Sequence, residues 1–118
     1  MRQSFAHEAV LALGDEADER APGAAVTVAL CGHWEHEPPC PLAPHHVRTE
    51  RVEDGLRLRV LFATDSENEL EVRSRVDLAL SGQWPLPDGV TASWRLRRSW
   101  PSVVSPDEAD HAERLILS

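Results

Sequence analysis

Two runs, Val47 to Val52 and Leu56 to Ala63, flank the dipeptide Asp54-Gly55, and this arrangement constrains the fold more than any other part of the sequence. Asp-Gly suits the positive φ angles of a two-residue hairpin turn, so the runs read as two tightly joined antiparallel strands. With Asp54 and Gly55 in the turn, Val47 is expected opposite Phe62, Thr49 opposite Val60 and Glu50 opposite Arg59. Apolar then meets apolar and acid meets base, the pairing that stabilises a sheet.

Other segments carry the same two-residue period. Residues 4–13 read as a strand with Phe5, Ala9, Leu11 and Leu13 on one face, although Phe5, Ala9 and Leu13 would also line a short helix. Asp15 to Gly23 reads as an acidic linker ending in the turn signal Pro22-Gly23. Val26, Val28 and Leu30 alternate with Thr27 and Ala29, and Cys31 and His33 extend that strand on the face opposite Val28 and Leu30. The clearest strand pattern runs from Glu69 to Leu80, where Leu70, Val72, Val76, Leu78 and Leu80 alternate with Glu71, Arg73, Arg75, Asp77 and Ala79. Val90, Ala92, Trp94 and Leu96 mark a further strand.

Four prolines between Glu37 and Pro44 make that stretch an ordered extended loop, because proline cannot donate a ladder hydrogen bond. Ser105-Pro106-Asp107-Glu108 supplies an N-cap, a proline at the first helical position and acids in the first turn. A terminal helix is therefore predicted over Pro106 to Leu117, with Ala109, Ala112, Leu115 and Ile116 towards the sheet. The expected architecture is mainly β: an antiparallel sandwich or partly closed barrel of about six strands with a C-terminal helix, built as a single β-rich domain over residues 1–118.

Charge narrows the function. A net charge of −8 opposes nonspecific binding to nucleic acid. All 12 positive side chains are arginine, so Schiff-base chemistry and a P-loop lysine are excluded. The apolar run Ala9 to Leu13 is too short for a signal sequence, and no run is long enough to span a membrane. The expected compartment is the cytoplasm, where Cys31 and Cys40 are thiols or metal ligands in preference to a disulfide or redox pair.

Six of the eight Cys and His residues fall between positions 31 and 46: Cys31, His33, His36, Cys40, His45 and His46. Uniform scattering would place about one there. Any four could hold zinc tetrahedrally and fasten a proline-braced loop that has few backbone hydrogen bonds of its own. The spacing matches no standard zinc finger and is not the His-Glu-x-x-His of metalloproteases. A surface loop with a buried Cys31 is the competing reading. A closed four-donor site would be structural, whereas three donors plus water would allow hydrolysis with Glu35 or Glu37 as base. Trp34 lies within the segment and could shield such a site from water; Trp94 shares the core parity.

A second candidate is an arginine face. Arg57, Arg59, Arg73, Arg75, Arg95 and Arg97 share the outward parity of three expected strands. Either Glu50, Glu71 and Asp77 interleave with them, or the patch binds an acidic protein or a small anionic ligand. The sequence thus points first to a zinc-stabilised binding or accessory domain. The alternatives are a metal-assisted hydrolase at the same loop and a metal-free interaction domain using the arginine face.

Overall fold

The computed structural model describes residues 2–13, 20–31, 43–53, 55–81, 83–85 and 91–117. Its elements, in chain order, are strand β1 (Arg2–Ala12), helix α1 (Ala21–Cys31), strands β2 (His45–Val52) and β3 (Gly55–Asp65), helix α2 (Glu69–Leu80), strands β4 (Gln83–Pro85), β5 (Thr91–Ser93) and β6 (Arg95–Ser102), and helix α3 (Ala109–Leu117). Single 3-10 turns precede α2 and α3. Four strands form one antiparallel sheet in the order β2-β3-β1-β6, and β4 and β5 form a small separate ribbon.

β1 and β2 run parallel with β3 between them, and β3 and β6 run parallel with β1 between them. The sheet is therefore two interleaved split β-α-β units, with α1 and α2 as the crossovers. Both helices cover the same face. Val26 and Leu30 of α1 and Val72, Val76 and Leu80 of α2 pack with Ala9, Leu11, Leu56, Leu58, Val60 and Phe62. On the other face α3 brings Leu115, with Ile116 beside it, against Ala6, Leu61 and Ala63.

The fold is mixed α/β, with a four-stranded sheet and helices on both faces instead of a sandwich or barrel. Two of the expected strands are helices. In α1 the buried residues Ala21, Pro22, Ala25, Val26 and Leu30 follow helical spacing, and Pro22 occupies the first turn, where its missing N–H costs nothing. Pro22-Gly23 therefore opens a helix instead of turning a chain. In α2 the core residues Val72, Val76 and Leu80 are four apart, a spacing that also satisfies a two-residue period. Leu70 and Leu78, which a strand would bury, are 80% and 73% exposed. Glu69–Arg73 and Glu71–Arg75 pairs at 2.8 and 3.1 Å brace successive turns, with the acid first as the helix dipole favours.

The remaining expectations shift less. β1 is a strand, and the terminal helix forms with a 3-10 first turn at Pro106–Glu108. The β2–β3 hairpin forms with Val52 opposite Gly55, so the register slides by two: Val47 faces Val60, Thr49 faces Leu58 and Glu50 faces Arg57. A slide of two preserves every face. Gly55 has φ +149°, and a Cβ there would meet the Leu11 carbonyl oxygen of β1 at 1.9 Å, so only glycine fits.

Because α2 is a helix, Leu78 and Leu80 lie on opposite sides of it. Leu80→Ala is expected to cost about 2–5 kcal/mol in urea unfolding and Leu78→Ala about 0.5 kcal/mol or less. Similar losses at both positions would indicate a strand.

Candidate functional site

The pleat sets what each outer-face residue meets. Across the sheet, one row holds His46, Leu61, Ala6 and Ser102; the next Arg48, Arg59, Glu8 and Trp100; the next Glu50, Arg57, Val10 and Arg98. α3 covers the first row and reaches the second. The third is open.

Arg59 is fully engaged. It donates to Glu108 through Nε at 2.8 Å and Nη2 at 2.7 Å, to the Ser102 hydroxyl at 2.8 Å and to the Val103 carbonyl at 2.6 Å. Glu8 lies 3.2 Å from the same guanidinium. Glu108 also accepts from the backbone N–H and hydroxyl of Ser105, each at 3.0 Å. One arginine thereby fixes the β6–α3 connection to the sheet. The hydrogen bonds from Arg59 are the main reason that the Glu108 carboxyl is held down to about 2, and the Arg59 guanidinium is raised in return.

Arg57 and Arg98 have a different setting. They flank Val10 in the third row, and their guanidinium carbons lie 6.0 and 5.6 Å from the centroid of the Trp100 ring. Among the described residues no carboxylate pairs with Arg57, Arg97 or Arg98. Together with Val10, Val52 and Glu53 these three arginines line a cleft of about 500 Å³. Arg97 is the extra residue of a bulge: Val10 pairs with Arg98 but Leu11 with Leu96. The bulge reverses the alternation and brings Arg98, absent from the expected arginine face, onto it.

The six-arginine face predicted from the sequence is therefore not one surface. Arg57 and Arg59 lie on β3 and Arg95 and Arg97 on β6, whereas Arg73 and Arg75 lie on α2, which covers the face of the sheet opposite α3. Arg75 is exposed and paired with Glu71. Arg73 is buried at 7% exposure and bonds Glu69 at 2.8 Å, the Ala6 carbonyl at 2.7 Å and His7 Nδ1 at 3.0 Å, with the Phe62 ring 5.3 Å away.

The Cys/His candidates also separate. Cys31 ends α1 instead of extending a strand; His33, Trp34, His36 and Cys40 lie outside the described residues, as do Glu35 and Glu37. His45 and His46 are neighbours on β2 and face opposite sides of the sheet. His45 Nδ1–H donates to the Ala43 carbonyl at 3.1 Å, which leaves Nε2 to accept from the Thr27 hydroxyl at 3.1 Å. His46 meets His111 of α3 with ring centroids 4.4 Å apart, beside a cavity of about 150 Å³ that Arg48, Arg59, Asp107 and Glu108 also line. Burial, then His111 and Arg48, lower the His46 pKa. Among the described residues no three His, Cys, Asp or Glu side chains converge as a ligand set.

One cluster has no sequence signal at all. His7 of β1, Asp77 of α2 and Ser99 of β6 meet on the inner face: His7 Nε2 is 2.6 Å from Ser99 Oγ and 3.3 Å from Asp77 Oδ1, and the Ser99 hydroxyl donates to Asp77. The composition is that of a hydrolase triad, but the polarity is reversed. Arg73 has only donors, so Nδ1 must accept and Nε2 must carry the proton. An Nε2 that donates cannot take the proton of Ser99, and the cluster does not activate a nucleophile.

The chain matches no protein-family model, no curated protein and no solved structure. Among the described residues no helix is long and apolar enough to cross a membrane.

The Arg59–Glu108 clamp predicts an acid limb. Glu108 titrates at about 2 in the fold and near 4.5 when unfolded, so its contribution is complete above pH 4.5 and disappears as pH falls through about 2. The shift corresponds to roughly 3 kcal/mol. Glu108→Gln is expected to lower unfolding free energy by about that amount at pH 7 and to converge on the parent near pH 2. Equal deficits at both pH values would contradict the assignment.

Proposed function

We propose that this protein is a non-catalytic binding or accessory domain that holds a phosphate- or carboxylate-bearing ligand in the cleft between Arg57, Arg97 and Arg98. The contrast between adjacent rows carries the reading. In the second row Glu8 sits beside Arg59, and Glu108 reaches in from the α3 connection. In the third, the position between Arg57 and Arg98 is Val10; Glu50 stands on the far side of Arg57 and Glu53 at the cleft wall, and among the described residues neither pairs with these guanidiniums.

Both guanidinium carbons lie within cation–π range of Trp100, and with no carboxylate paired to either arginine among the described residues their N–H donors are available for bidentate contact with an oxyanion. Val10 and Val52 give the cleft an apolar floor, and its volume lies within the range of small-ligand sites. The whole chain carries −8, so this concentration of arginine runs against the overall field and favours an anion only locally.

Calorimetric titration with inorganic pyrophosphate and with citrate tests the proposal. The parent protein is expected to bind at least one of them, more weakly as salt rises. Arg57→Gln combined with Arg98→Gln is expected to weaken binding about tenfold or more, equivalent to about 1.4 kcal/mol. Arg75→Gln, on the far side of the sheet, should leave it unchanged. Equal binding by the parent and the double variant, or no binding of either anion by the parent, would overturn the proposal.

A further inference from the structure

β1 crosses the centre of the sheet, and the one ionisable side chain it turns towards the inner helices among the described residues is His7, only 3% exposed. Its neighbours in the register are Val60 of β3 and Pro101 of β6, neither of which carries charge. Every charged group facing it comes from α2. Arg73 meets Nδ1 at 3.0 Å, Asp77 meets Nε2 at 3.3 Å, and Glu69 stands behind Arg73 at 2.8 Å. From β6 Ser99 completes the shell at 2.6 Å. Glu8, Arg59 and Arg98 belong to the opposite face of the sheet.

Arg73 makes the shorter of the two polar ties that α2 forms with β1, the other being Asp77 to His7 Nε2. Its Nη1 bridges the Ala6 carbonyl and His7 Nδ1, and both acceptors belong to β1. The second contact exists only while Nδ1 has a lone pair. Protonated imidazole has a donor on each nitrogen, so at 3.0 Å a buried N–H would point at a buried guanidinium N–H. Donor then faces donor, and like charge faces like charge, in a setting with little water to screen either.

We propose that His7 is an acid-sensitive pin: neutral, it accepts Arg73 and holds α2 on the sheet; protonated, it repels Arg73 and loosens α2 from β1. Asp77 opposes this by favouring the protonated ring, but half of its side chain is exposed and its attraction is screened. Burial is the larger influence, and the His7 pKa lies below its ordinary 6.5. The sign follows from linkage. The native fold favours neutral His7, so its contribution is complete above pH 6.5 and declines as pH falls from there towards the lower native value.

The test pairs imidazole nitrogen NMR with amide hydrogen exchange of the full chain, corrected for intrinsic rates. At pH 7 His7 is expected as the Nε2–H tautomer. Between pH 7 and pH 5 the protection of α2 should fall about tenfold or more relative to β3. His7→Asn places an amide oxygen near the position of Nδ1 and cannot titrate, so it should retain α2 protection at pH 7 and lose the pH dependence. Should that variant fail to fold, Asp77→Asn gives a second reading by shifting the loosening of α2 to lower pH. An Nδ1–H tautomer at pH 7, α2 protection in His7→Asn that falls in parallel with the parent, or a midpoint unmoved by Asp77→Asn would each overturn the proposal.

Discussion

β3 is buried along most of its length on both faces. Leu56, Leu58, Val60 and Phe62 point one way, Leu61 and Ala63 the other, and all six are at most 3% exposed. A strand with two apolar faces cannot sit in a sheet that leaves one side to solvent, so cover is required front and back. α1 and α2 supply the front, where the crossovers of the two split β-α-β units must lie. α3 supplies the back, but only over the rows of Ala6, Leu61 and Ala63. Beyond that point the outer residues of β3 change to Arg59 and Arg57, and the cover stops where the apolar surface stops.

The same transition organises the electrostatics. Arg59 stands at the margin of α3 and is neutralised from two directions, by Glu8 within the sheet and Glu108 at the helix start. Its ion pairs anchor the segment that carries α3 into place, so the helix depends on charge as well as on apolar packing. One row further on, Val10 stands where Glu8 stands beside Arg59, and Arg57 and Arg98 approach the Trp100 ring. Two chemically identical side chains, Arg57 and Arg59, two residues apart on one strand, thus serve as candidate binding group and structural clamp respectively.

Much of this was legible in local sequence. The β2–β3 hairpin, β1 and the terminal helix each declare themselves through a turn dipeptide, a period or a cap. Where one spacing suited two structures, the sequence misled. Val72, Val76 and Leu80 fit a strand or a helix equally, and the discriminating position was Ser74, polar where a strand would need a core residue and exposed on the helix. For α1, Pro22 was the overlooked cue. Arg98 reached the outer face through a bulge, which leaves no mark on an alternating pattern. The meeting of His7, Arg73, Asp77 and Ser99 depends on contacts between residues 22 to 92 positions apart and could emerge only from the fold. The density of Cys and His between positions 31 and 46 was plain, yet strand parity sends His45 and His46 to opposite faces, a separation that composition alone does not reveal.

The proposed anion site is the uncovered third row of the outer face. Amide and arginine side-chain chemical-shift mapping during titration with inorganic pyrophosphate tests it most directly. Saturable shifts are expected to be confined to Val10, Val52, Glu53, Arg57, Arg97, Arg98 and the Trp100 indole. Saturable shifts centred on residues 31–46 or on α2, with that row unchanged, would contradict it.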